Sequence, residues 1–116
     1  MSKPRLEAAI AKDIVRYLNS LDGCRARRHT ASGPYNQAGE PDIDACLNGR
    51  AIKIEVKRQR PRRAHPDPRV AEEFMSCGAT ALQAKTLVEW GKSGAVVGVA
   101  YEVDDVKALL QREQLI

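Results

Sequence analysis

An α/β fold is the class this sequence predicts, and three local patterns predict it. Apolar residues recur at helical spacing near the start, with Leu6, Ile10, Ile14, Tyr17 and Leu21 on one face. Two alternating segments, Asp42–Leu47 and Ala51–Lys57, flank Asn48-Gly49, the strongest short signal for a β-hairpin. Further on, the apolar run Ala95–Tyr101 suits a buried strand between two helical segments. The 116 residues are expected to form a single domain spanning residues 1–116.

Each element follows from its local chemistry. The first helix is predicted from about Pro4 to Leu21, with Ser2 and Pro4 near its start and Gly23 after its end. Cys24–His29 reads as a short strand, and Ala31–Glu40 as a loop rich in turn-forming residues. In the hairpin a two-residue turn fixes the register. Ile43 then faces Ile54 and Ala45 faces Ile52 on the core side, while Asp42 faces Glu55 and Asp44 faces Lys53 on the other. A slip of one residue would turn the isoleucines to the wrong face. Arg58–Pro68 reads as an exposed connection, and Arg69–Cys77 as a short helix stopped by Gly78. Thr80-Ala81-Leu82-Gln83 is a capping-box pattern opening a helix to about Trp90, with Leu82, Leu87 and Trp90 on its buried face. Asp104 is expected to cap a last helix through about Arg112. The order of the main elements is α-β-β-β-α-β-α.

Composition narrows the function. The longest apolar run is too short to span a bilayer, and the first residues lack the apolar core of a signal peptide. Cys24, Cys46 and Cys77 form no CxxC pair or disulfide framework, so a reducing cytoplasm is expected, with the cysteines as small buried apolar residues. Two distant histidines make a zinc site improbable. One Trp, one Phe and three Tyr argue against a platform that stacks several bases. The net charge is +4, and its placement is uneven. Eight basic residues lie between Arg50 and Arg69 (Arg50, Lys53, Lys57, Arg58, Arg60, Arg62, Arg63 and Arg69), opposed by Glu55 and Asp67. Arg25, Arg27, Arg28 and His29 form a second knot. Such clusters are the footprint of polyanion binding; a solvated basic loop is the plainer reading. A lipid surface fits less well, because the basic run has no amphipathic helical pattern.

The hairpin also carries a chemical constellation. Directly opposed residues have Cβ atoms about 4.5–5.5 Å apart, so the register brings the carboxylates of Asp42 and Glu55 together. Two such charges repel, and one pKa rises unless a cation intervenes. A hard divalent ion favours oxygen ligands and often takes only one or two protein carboxylates. Lys57, two residues beyond Glu55, points to the same face. Two carboxylates, an amine and a metal suffice for phosphodiester hydrolysis. The plainer reading is the wet side of a sheet, since ExK alone is a weak pattern.

Pro41-Asp42 followed by Glu55-Val56-Lys57 resembles the signature of the PD-(D/E)XK nuclease superfamily. Gly39-Glu40-Pro41-Asp42, with Glu7 on the first helix and Gln83 on a later one, resembles its VRR-NUC branch, the virus-type replication-repair nucleases, over nearly the whole chain. The resemblance implies a restriction-endonuclease-like core, a mixed central β-sheet flanked by helices. It implies Mg²⁺ or Mn²⁺ bound by Asp42, Glu55, the Val56 backbone carbonyl and Glu7, the last directly or through water. Lys57 would be the catalytic lysine, and Gln83 would complete the site. The implied activity is DNA endonuclease action on branched, flap or four-way-junction DNA in phage or bacterial replication and repair. No membrane and no small-molecule cofactor enter the scheme. A junction offers two scissile strands, which favours a homodimer.

On this reading Arg25, Arg27, Arg28, Arg58, Arg60, Arg62, Arg63 and Arg69 hold the phosphate backbone, and binding weakens steeply with salt. Rival readings are a catalytically silent nucleic-acid-binding module and an RNA nuclease of the same chemistry. Several residues have plainer roles. Glu7 is also an ordinary first-turn acid. Gln83 is also the capping partner of Thr80, and one amide is not expected to serve both tasks easily. Asp44 reads as a surface salt bridge to Lys53, Trp90 as core, Tyr35 as loop packing, and His29 and His65 as phosphate contacts or surface residues. The long connection from Arg58 to Ala79 suggests a substrate-contacting insertion.

Overall fold

The computed structural model describes residues 6–29, 39–59 and 67–116. Within them the chain forms α1 (Glu7–Asn19), β1 (Cys24–Arg28), β2 (Ile43–Leu47), β3 (Arg50–Val56), α2 (Ala71–Ser76), α3 (Ala81–Lys92), β4 (Val96–Ala100) and α4 (Val103–Arg112). The strands make one open mixed sheet in the order β1-β2-β3-β4. Neighbours β1–β2 and β2–β3 are antiparallel, and β3–β4 is parallel. A parallel neighbour needs a crossover, which α2 and α3 supply.

The β2–β3 register pairs Ile43 with Ile54, Asp44 with Lys53 and Ala45 with Ile52, as the turn demands. Asn48 (φ 49°) and Gly49 (φ 88°) both occupy the left-handed region, the requirement of a type I′ turn that matches strand twist. Arg50, the first residue after the turn, donates from Nε to the Gly94 carbonyl at 2.9 Å, so this member of the basic run serves the fold.

Strand alternation gives the sheet two apolar faces. On one, Ile43, Ala45, Leu47, Ile52, Ile54, Val56, Val96 and Ala100 pack against Ile10, Ile14 and Leu18 of α1 and Val106 and Leu110 of α4. On the other, Val97 packs with Phe74 of α2 and with Ala84 and Leu87 of α3. The second layer covers β3 and β4 and leaves that face of β1 and β2 without a helix among the described residues. At the end of α1, the Asn19 amide accepts from Ala26 N–H at 2.8 Å and donates to its carbonyl at 3.0 Å. The helix is thereby tied to the outer edge of β1.

Several expectations need correction. The last helix begins at Val103 with Glu102 as its cap, and Asp104 falls in the first turn. The cause is Asp105, whose carboxylate accepts from the N–H groups of Tyr101 and Glu102 and closes a capping box there. Leu82 is not buried on α3 but 48 % exposed, with Ala84 and Leu87 inside instead. It backs onto Gly39, where a Cβ would lie 2.6 Å from Leu82 Cγ. The expectation of buried cysteines holds for Cys77; Cys24 is half-buried and Cys46, on the uncovered face, is exposed. The short helix expected over Arg69–Cys77 forms as α2 and precedes α3, so two helices lie in the crossover between β3 and β4. Ser2, Pro4, Tyr35, Arg60, Arg62, Arg63 and His65 lie outside the described residues.

Candidate active site

The site forms where β2 begins and β3 ends. Asp42 sits one residue before β2, and its main-chain carbonyl accepts from His29 N–H at 2.6 Å, which extends the β1–β2 ladder by one step. Its carboxylate Oδ2 accepts from Val56 N–H at 2.8 Å. Val56 therefore enters the site through its backbone while its side chain belongs to the core. Two contacts with α3 steady the lead-in to Asp42: the close approach of Gly39 to Leu82, and a 3.4 Å bond from Trp90 Nε1 to Glu40 Oε2.

Glu55 lies next to Asp42 across the hairpin and is 2 % exposed. Its pKa is pushed from 4.5 up to about 9. Burial is the main cause, because it disfavours the charged form; the hydrogen bond to Asp42 and that carboxylate's charge add to it. The Lys57 ammonium opposes the shift, and the Glu7 charge adds to it. Glu7, exposed in the first turn of α1, is thus close enough to act on Glu55 electrostatically. Glu55 Oε2 is shut off from solvent and has no hydrogen-bond partner among the described residues. A buried carboxylate oxygen without a partner costs free energy that a proton or a cation relieves.

Lys57 continues the same face of β3, two residues on. Its N–H donates to the Ala100 carbonyl at 3.0 Å, which extends the parallel pairing. Its Nζ donates to Gln83 Oε1 at 3.0 Å. The same Gln83 oxygen accepts from Thr80 N–H at 2.9 Å, while Gln83 N–H donates to Thr80 Oγ1 at 3.2 Å. The capping box and the lysine contact therefore coexist, against the expectation that they compete. An amide oxygen has two lone pairs, and here each takes one donor. A cleft of about 480 Å³, lined by Lys57, Arg58, Gln59 and Gly78, opens beside the amine.

Other arginines of the sequence analysis are scattered. Arg25 and Arg27 are exposed on β1. Arg28 faces the opposite side, where it lines an apolar hollow with Leu6, Lys12 and Val15. Arg69 is engaged by Asp67 through Nε and Nη2, both at 3.0 Å, and holds that carboxyl below its ordinary range.

The Asp44–Lys53 pair expected from the register forms, and its tie to Trp90 has no sequence signal. Lys53 Nζ bonds Asp44 Oδ1 at 2.7 Å and sits 3.9 Å from the centre of the Trp90 ring. Asp44 and Lys53 are mostly buried, so the pair is more than a surface salt bridge. It ties β2 and β3 to the last turn of α3, whose residues are distant in sequence.

Among the described residues no three His, Cys, Asp or Glu side chains are grouped to hold a metal ion. The donors that do meet are two carboxylates, one with an unpartnered oxygen, which suits a hard cation that keeps much of its water. No family model, no curated protein and no solved structure matches this chain.

Proposed function

We propose that this chain is a Mg²⁺- or Mn²⁺-dependent DNA endonuclease of the PD-(D/E)XK type, close to the VRR-NUC branch, acting on branched, flap or four-way-junction DNA. The observation that carries this reading is the buried Glu55 carboxyl beside Asp42, with Lys57 fixed two residues away on the same strand face.

Asp42 and Glu55, with the Val56 carbonyl and Glu7, would hold the divalent ion. When bound, such an ion polarises a phosphate and makes water a better nucleophile at neutral pH. The chain's own residues do the rest. The Asp42 carboxylate is fixed by Val56 N–H and so presents its other oxygen in a set direction. The Lys57 ammonium, held by Gln83, offers its remaining protons to a phosphate oxygen as negative charge builds there. A water oxygen bonds to phosphorus as the bond to the leaving sugar oxygen breaks. Arg58, exposed at the mouth of the cleft, binds a phosphate of the same strand.

The test is a substrate panel of linear duplex, single strand, flap and four-way junction with Mg²⁺ or Mn²⁺. Wild type is expected to cut at least one branched substrate, and Lys57→Ala to cut none. Equal cleavage by both proteins removes the mechanism.

A second reading, a catalytically silent nucleic-acid-binding module, draws on the lack of a three-ligand group among the described residues. Divalent-ion titration separates the two. A nuclease gains thermal stability with Mg²⁺ and loses that gain in Asp42→Ala or Glu55→Ala; a silent module shows no gain in any of them.

A further inference from the structure

The face of β1 and β2 that carries no helix among the described residues has a consistent chemistry. On β1, Ala26 is buried against α1, so Arg25 and Arg27 on either side of it point to the opposite, uncovered face. The register sets Arg27 opposite Asp44 and Asp44 opposite Lys53, giving one row across three strands. Arg27 Nε lies 4.0 Å from Asp44 Oδ2 with its side chain 81 % exposed, and Lys53 holds the other Asp44 oxygen. One carboxylate thus faces two permanent cations, and the row keeps a net positive charge. The next row pairs Arg25 with Cys46, both exposed. In the other direction, two residues along β3 from Lys53, stands Glu55 beside Asp42.

Successive rows on one face of a strand are about 7 Å apart, a spacing close to that of consecutive phosphates in a polynucleotide. We propose that this uncovered half-sheet is the track for the substrate's phosphate backbone, running from the Asp42–Glu55 pair past Arg27 and on to Arg25. The inference rests on the nuclease reading and gives it a direction: the bound strand follows β1 and β2 towards the Asn48-Gly49 turn. Arg28, next in sequence to Arg27, has no part in it, because it faces α1.

The experiment measures binding of a fluorescein-labelled flap DNA by anisotropy in EDTA, from about 50 to 200 mM salt. Arg27→Ala and Arg25→Ala are expected to weaken binding several-fold and to lower the salt slope by about one phosphate contact each. Arg27→Lys keeps most of the affinity. Arg28→Ala and Lys12→Ala, on the α1 face, change it less than twofold. Circular dichroism establishes that each variant is folded, and the charge reversal Arg25→Glu supplies a second probe of the track. Equal losses for Arg27→Ala and Arg28→Ala overturn the proposal, and so does a wild type that binds no DNA. Face-selective binding without Mg²⁺-dependent cleavage upholds the track and sinks the nuclease reading alone.

Discussion

Replacing Glu55 by Gln is expected to stabilise the metal-free protein. The folded carboxyl titrates at about 9 and the unfolded one at 4.5. At pH 7 folding therefore takes up a proton that the unfolded chain has released. The interval from 4.5 to 7, at about 1.4 kcal/mol per pH unit, sets this cost at about 3 kcal/mol. Because the folded value is raised, the stability is fully present below pH 4.5 and is lost as pH climbs towards 9. Glutamine carries no such cost and still donates a hydrogen bond to Asp42. The difference between Glu55→Gln and wild type should grow from near zero at about pH 4.5 to about 3 kcal/mol at pH 7, or roughly 10 °C in Tm. Thermal unfolding by circular dichroism in EDTA, repeated from about pH 5 to about pH 9, reads it directly. Saturating Mg²⁺ should narrow the gap by stabilising wild type and not the variant. A variant no more stable than wild type at pH 7, or a gap that does not widen with pH, refutes the argument.

Thr80→Val removes the acceptor that caps α3, at a cost of about 1 kcal/mol, and loosens Gln83; turnover on a cleaved substrate should fall more than KM changes, with Thr80→Ser restoring it. Ile54→Ala empties a fully buried site on β3 in the core shared with α1 and α4, and urea unfolding should show a loss of about 2–5 kcal/mol. Under native conditions a thiol reagent should label Cys46 rapidly and Cys77 only on unfolding, read by mass spectrometry. Retention of Cys46 in unlabelled form would place that face of β2 under cover.

The parts legible from sequence are those decided within a few residues. Asn48-Gly49 demands a left-handed pair, and that alone sets Ile43 against Ile54 and brings Asp42 to Glu55. Thr80 and Gln83 announce the start of α3 at the observed position. The strand period puts Glu55 and Lys57 on one side without reference to the rest of the chain. What sequence leaves hidden depends on contacts across the fold. Nothing local marks Lys53 as the partner of Trp90, or Glu40 as the acceptor of its indole N–H. Glu102 outcompetes Asp104 as a cap because Asp105 reaches back to the chain leaving β4. Leu82 looks apolar enough for the core, yet it meets Gly39 at the surface and stays 48 % exposed. The competition expected at Gln83 fails for a simpler reason: it overlooked the second lone pair of one oxygen.

The arginines of β1 have an effect on self-association as well. Among the described residues β1 ends the sheet, and an unpaired terminal strand invites another chain to add on and begin an aggregate. This strand is five residues long, three of them Arg, and Asn19 already occupies the amide and carbonyl of Ala26 at its middle. A second copy approaching there would set guanidinium against guanidinium and find the central hydrogen-bonding position taken. Both features disfavour strand addition at β1 between two molecules of this protein.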